Sequence, residues 1–143
     1  MTLRFLTAIA FATAIGFTAV PAMANDVHIQ QFGWANSAGG AQTGFMNRIG
    51  IYQNGRWHKV ISRQFGNHNV AAVGQEGWNN NAATTQNGNW NSAGVAQFGA
   101  NHNAILTQDG NGNVAAGVQV GNGCDAHVSQ VGGGNIAAFV QAC

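Results

Sequence analysis

Charge, proline and cysteine are all scarce in this chain. Of its 143 residues five are Lys or Arg, four are Asp or Glu, one is proline and two are cysteine. Setting aside Arg4 in the N-terminal segment, acidic and basic side chains balance. Such a surface offers no electrostatic footprint for nucleic acid and little self-repulsion to keep molecules apart. The longest apolar run, Phe5 to Val20, is shorter than the roughly 20 residues that cross a bilayer. Preceded by Arg4 and followed by the small-x-small pattern Ala22-Met23-Ala24, it is expected to be a secretory signal over residues 1–24. One domain over residues 25–143 follows.

What the chain has in abundance is a period. Glutamine recurs every eleven residues, at Gln31, Gln42, Gln53, Gln64, Gln75, Gln86, Gln97, Gln108, Gln119, Gln130 and Gln141. Two places after the first ten stand Gly33, Gly44, Gly55, Gly66, Gly77, Gly88, Gly99, Gly110, Gly121 and Gly132. Five places after them the column reads Asn36, Asn47, His58, Asn69, Asn80, Asn91, His102, Asn113, Cys124 and Asn135. Seven places after comes a mostly alanine column, and nine places after a mixed one running from Gly40 and Ile51 to Val128 and Phe139. A glycine- and asparagine-rich composition suggests disorder, but disorder needs no register. A fixed short period signals one small unit stacked many times.

An eleven-residue repeat also suits a right-handed helical supercoil. Glycine in every unit costs a helix interior about 1 kcal/mol each time, and that reading fails. Offsets five, seven, nine and eleven from each glutamine step by two, the strand period. Gly-x-x at offsets two to four supplies the turn. Each unit is therefore a strand of about seven residues and a tight turn, and Asn25 to Gln31 joins as the first. The expected fold is all-β, a two-sheet β-solenoid of eleven strands in parallel, in-register ladders with coils of 22 residues. Consecutive strands cross the core in opposite directions, so offset seven faces offset nine, and alanine meets the bulkier column. Glutamine and asparagine side chains are expected to stack at about 4.8 Å, each amide donating to the copy above and accepting from the copy below.

The unit Gln-x-Gly-x-x-Asn-x-Ala, intact in Gln64-Phe65-Gly66-Asn67-His68-Asn69-Val70-Ala71, resembles the curlin repeat of curli subunits. The resemblance covers nearly all of the chain after the leader. It implies a subunit of an extracellular amyloid fibre of a Gram-negative-type bacterium, supporting adhesion and biofilm, with the glutamine and asparagine columns as its amyloid core. Implied partners are further copies of the chain, other curlin-type subunits, an outer-membrane secretion pore and a periplasmic chaperone. The chain departs from the major curli subunit in lacking a glycine-rich leader before the first repeat and in carrying two cysteines. Its unit from Gln53 to Arg63 crowds Arg56, Lys59 and Arg63 and places His58 in the asparagine column, reminiscent of the minor, nucleating subunit. A soluble, monomeric solenoid binding a ligand along one flat face is the alternative of another class.

The remaining residue types give expectations of their own. Cys124 starts the tenth strand and Cys143 follows the eleventh, at the same edge; a disulfide, or a buried and a frayed thiol, both fit. His58 and His102 share a core column but stand two coils, about 9.6 Å, apart, too far for one metal ion. His28, His68 and His127 lie in other phases, so no metal site is expected. Trp34, Trp57 and Trp78 fall on one edge of turns, Phe45 and Trp90 on the other, as an adhesive stripe or as cover for the turn backbone. Asp26, Glu76, Asp109 and Asp125 share no offset, so no carboxylate pair, catalytic residue or cofactor is expected. The last strand has neither charge nor proline to block its edge, which favours growth by strand addition.

Overall fold

In the computed structural model residues 24–143 are described; the leader expected at 1–24 lies, apart from Ala24, outside the described residues. Every regular element among them is a strand: β1 (Asp26–Trp34), β2 (Ser37–Thr43), β3 (Arg48–Arg56), β4 (Lys59–Phe65), β5 (Val70–Trp78), β6 (Asn81–Asn87), β7 (Ser92–Ala100), β8 (Asn103–Asp109), β9 (Val114–Asn122), β10 (Asp125–Val131) and β11 (Ile136–Ala142). Odd strands form one sheet in the order β1-β3-β5-β7-β9-β11, and even strands form the other, β2-β4-β6-β8-β10. All neighbours are parallel, and each glutamine of the repeat column from Gln31 to Gln119 pairs with the glutamine 22 residues on, as in Gln53↔Gln75 and Gln64↔Gln86. This is the two-sheet β-solenoid expected from the spacing.

The core is thin and regular. Ile49, Ile51, Val60, Ala71, Val73, Ala82, Ala93, Val95, Ala104, Leu106 and Ala115 form one buried cluster, with Ala38, Val128 and Phe139 packed on it. Volumes compensate between facing positions. A Cβ added at Gly40 would stand 3.3 Å from Val27 and 3.4 Å from Ile49, so this empty offset-nine position accommodates two large offset-seven residues from the opposite sheet. Two hydroxyls also enter the core, and they satisfy each other: Ser62 Oγ and Thr84 Oγ1 are 2.7 Å apart.

The strands are not uniformly seven residues long. β1, β3, β5, β7 and β9 have nine residues, while the even strands have seven. The difference lies at offset three. After the even strands, the N–H groups of Phe45, Asn67 and Asn89 donate to the side-chain Oδ1 of Asn67, Asn89 and Asn111 one coil on, at 2.8–3.1 Å. Those bonds take the offset-three N–H out of the backbone ladder and end the strand early, although the N–H groups of Gly66 and His68 still donate to the carbonyls of Thr43 and Phe45 at 3.0 and 3.1 Å. Trp34, Arg56, Trp78 and Ala100 occupy the same offset on the other edge, and there the backbone ladder continues.

The turn carries two left-handed positions where the repeat signalled one. Offset two is glycine after each of the first ten glutamines of the column. At Gly66 φ is +113° and a Cβ would overlap the carbonyl of Gly88 one coil away, so both backbone conformation and approach demand glycine. At offset four Ala35, Met46, Trp57, His68, Asn79, Trp90 and Asn101 also have φ of 55–61°. Asn79, Asn101 and the glycines at 112, 123 and 134 were the sequence signal for this position, since asparagine and glycine enter the left-handed region most easily.

Candidate functional site

The chemistry of this chain is concentrated in its inward-facing amides, and the two columns behave differently. Glutamines form a true side-chain relay. Gln64 Nε2 donates to Gln86 Oε1 at 2.7 Å and Gln86 Nε2 to Gln108 Oε1 at 2.9 Å; the other sheet repeats this through Gln53, Gln75 and Gln97. From Gln42 onward each Nε2 also donates to a backbone carbonyl across the core, as from Gln86 to Val70 at 2.9 Å. From Gln53 to Gln119 these side chains are fully buried, and each amide is satisfied.

The asparagines do not form the amide-on-amide ladder expected of them. Asn69 Oδ1 accepts the backbone N–H of Asn91 at 3.0 Å, and Asn69 Nδ2 donates to the carbonyl of Gly88 at 2.8 Å. Asn47, Asn80, Asn91 and Asn113 donate in the same way to the turn glycine nineteen residues on, Gly66, Gly99, Gly110 and Gly132. The side chain is one carbon shorter than glutamine's and sits beside a turn, so backbone groups reach it first. Asn36 has the equivalent bond to Gly55 at 3.2 Å. Within this column an asparagine amide meets another only at the last repeat, Asn135 Nδ2 to Asn113 Oδ1 at 3.0 Å.

His58 and His102 reproduce this pattern with different atoms. Each Nδ1 accepts a backbone N–H one coil on, from Asn80 at 3.3 Å and from Cys124 at 3.1 Å. The hydrogen-bond network therefore assigns the proton to Nε2, which donates to the carbonyls of Asn54 at 3.2 Å and Phe98 at 3.1 Å. Burial holds the His58 imidazole below its ordinary value, against a smaller opposing effect of carbonyls at Asn54 and Gly77. No group of three His, Cys, Asp or Glu side chains able to hold a metal occurs among the described residues.

Cys124 and Cys143 are joined by a disulfide with Cα atoms 5.6 Å apart, inside the usual range for such bonds. Their separation of 19 residues is that of each asparagine from the glycine it contacts. Cys124 stands in the asparagine column and Cys143 in the glycine column, so in the final coil a covalent bond occupies the place of the Nδ2–H···O=C hydrogen bond.

The edges and ends complete the surface. Trp57 and Trp78 meet at 6.1 Å on one turn edge. On the other, His68 stacks on Trp90 at 3.9 Å with planes 3° apart, and Phe45 meets His68 edge-on. Further ladders that the repeat alignment did not single out lie outside the core. Asn81, Asn103 and Asp125 link along the outer face of the even sheet at 2.8–2.9 Å. At the ends, β1 and β2 below and β10 and β11 above each have one neighbour in the sheet. The one buried side-chain polar atom without a partner among the described residues, Gln42 Oε1, lies at the lower end.

The geometry defines a class: a parallel two-sheet β-solenoid with one eleven-residue unit per strand and, among the described residues, ladders open at both ends. The Curlin associated repeat family matches residues 23–55, 77–110 and 104–132, more than half of the chain, and the chain belongs to that family. No curated protein and no solved structure matches it.

Proposed function

We propose that this chain is a structural subunit of an extracellular curli-type fibre, growing by addition of further copies to its open strand edges. One observation carries the reading: ladders that satisfy every buried amide in the interior stop, unsatisfied, at the ends. Gln42 Oε1 is buried with no donor, and such a group costs about 1–3 kcal/mol until it finds one. The edges of β1, β2, β10 and β11 likewise present backbone groups of the kind that natural sheets usually cover. A copy stacked in register satisfies both. The repeats and the fold are consistent with a curli-type structural subunit. Adhesion, biofilm support and reliance on an outer-membrane pore and a chaperone follow from the family resemblance, and secretion follows from the signal pattern of residues 1–24.

Purified protein beginning at Asn25 tests this directly. Thioflavin T fluorescence should rise after a lag, with unbranched fibres visible by electron microscopy. Persistent monomer with flat fluorescence would sink the reading and favour a monomeric solenoid that binds a ligand along one face. The nucleating role is a second reading, supported by three exposed cations in one unit, Arg56, Lys59 and Arg63. A nucleator shortens the lag of a partner subunit at substoichiometric amounts.

A further inference from the structure

An odd number of strands restricts how copies can stack. Successive strands alternate between the sheets, so each lies half a ladder step, about 2.4 Å, above the one before. At the upper end the odd sheet closes with β11 and the even sheet with β10, half a step lower. The next vacant place on the spiral is therefore on β10. The incoming copy begins with β1, a strand of the odd sheet. We propose that each copy is turned by half a turn about the fibre axis relative to the one beneath it, so that its β1 adds to β10 and its β2 to β11. This rests on the fibre reading and on removal of the leader, both proposed above.

Stacking without the turn puts β1 on β11. The β2 of the incoming copy then stands two ladder steps above β10 and leaves a gap one strand wide in the even sheet. The half turn fills every place.

The side chains at the two ends favour the same arrangement. The glutamine relay is polar: each Nε2 donates to the glutamine 22 residues later. The upper end thus presents Nε2 donors at Gln130 and Gln141, whose recorded acceptors are only the carbonyls of Val114 and Asp125. The lower end presents Oε1 acceptors at Gln31 and Gln42. A half turn pairs Gln130 with Gln31 and Gln141 with Gln42, and so supplies the donor that buried Gln42 Oε1 lacks. Straight stacking leaves Gln42 facing the gap.

The large end residue is accommodated too. The ring of Phe139 lies over Gly117, where a Cβ would overlap it. The half turn brings Gly40 to the other side of Phe139, whereas straight stacking brings Ile29. Asn135 Oδ1 meets the N–H of Asn36, repeating the interior contact. The cost is one like-charged contact, Asp125 beside Asp26, flanked by Asn103 and by Arg48, which is 3.5 Å from Asp26 in its own chain. Both carboxylates are on the exposed outer face, where solvent screens them.

Helical reconstruction of fibres grown from unaltered protein beginning at Asn25 measures the arrangement. Eleven half-steps give a rise of about 26 Å per subunit, with a rotation near 180° once sheet twist is subtracted. Straight stacking takes six full steps, a rise of about 29 Å without the half turn, and that value overturns the proposal. A chemical measurement uses one chain with Gln30→Cys, Ser129→Cys and Val140→Cys, all on outer faces. After oxidation of its fibres, mass mapping should join positions 30 and 129 between copies. Joining of 30 with 140, or of neither, overturns the half turn while leaving the fibre intact. If this variant fails to assemble, the reconstruction decides alone. Unaltered protein that never polymerises removes the fibre reading itself, and the half turn with it.

Discussion

Gln86→Leu tests the glutamine relay at its centre. The Gln86 side chain accepts from Gln64 at 2.7 Å and donates to Gln108 at 2.9 Å and to the Val70 carbonyl at 2.9 Å, all without solvent exposure. Leucine has a similar volume, so packing changes little. What changes is satisfaction: one hydrogen on Gln64 Nε2, the Oε1 of Gln108 and the Val70 carbonyl each lose a partner. At about 1–3 kcal/mol per buried orphan, the two side-chain groups alone should cost about 2–6 kcal/mol, partly offset by the gain from burying an apolar side chain. Gln141→Leu removes the same chemistry at the upper end, where the residue is partly exposed and its loss deprives only Gln119 Nε2 and the Asp125 carbonyl of a partner within one chain. Water reaches that site, and the loss should be about 1 kcal/mol or less. Guanidinium unfolding of freshly prepared monomer, followed by tryptophan fluorescence, reads both. Equal, sub-kcal losses at the two positions would refute the view that the relay holds the coils together.

The other predictions concern the turns, the substituted asparagine column and the last coil. Gly66→Ala meets both a left-handed φ and the Gly88 carbonyl and should cost at least about 2 kcal/mol. Gly94→Ala, with open space around its Cβ, should stay within about 0.5 kcal/mol; equal effects by denaturation would contradict the turn argument. His58 is held neutral by burial below its ordinary 6.5. The unfolded chain therefore takes up a proton first, and stability is full above pH 6.5 and declines as pH falls below it. His58→Asn should flatten that decline, and an unchanged pH profile would exclude His58 as its source. Cys124→Ser with Cys143→Ser should lose about 3 kcal/mol for a closed loop of this length. Cys124→Asn with Cys143→Gly should recover about 1 kcal/mol of it by restoring the interior hydrogen bond. Two freely alkylated thiols in untreated protein would show that the bridge is not made in solution.

The sequence was most legible where one residue type answers one geometric demand. Glycine at offset two requires a left-handed turn and close coil approach, and the steps of two from Gln64 through Asn69, Ala71 and Val73 require a strand. Together they specify the sheets, the register and the inward columns. Legibility ended where several residue types meet one demand. Offset four is left-handed whether Ala35, Trp57 or Asn79 stands there, because the neighbouring turns hold the backbone while the side chain projects outward. The unequal strand lengths turn on Asn67, Asn89 and Asn111, which are unremarkable in an asparagine-rich chain until their shared offset is noticed. The asparagine contacts could not be read from spacing, because a side-chain amide meets backbone and side-chain partners with equal chemical aptitude. Only the turn's position beside Asn69 decides between them.

That distinction explains a contrast within the chain itself. All eleven places in one column are glutamine, while the other admits His58, His102 and Cys124. A glutamine in the relay hands its hydrogen to another side chain and receives one from a third. Exchanging an interior member therefore strands two neighbours, and repair requires the same length and the same amide. An asparagine speaks to the backbone, which is identical in every coil. Any side chain placing an acceptor near the next N–H and a donor near a carbonyl serves, and imidazole does so through Nδ1 and Nε2 at 3.1–3.3 Å. Where no such pair exists, a covalent link to the facing position does the same work, as Cys124 does with Cys143. The relay is accordingly the part of this repeat that continues only through another glutamine. At the ends of the solenoid, the residues able to continue it are Gln31 and Gln42 of one copy and Gln130 and Gln141 of the next.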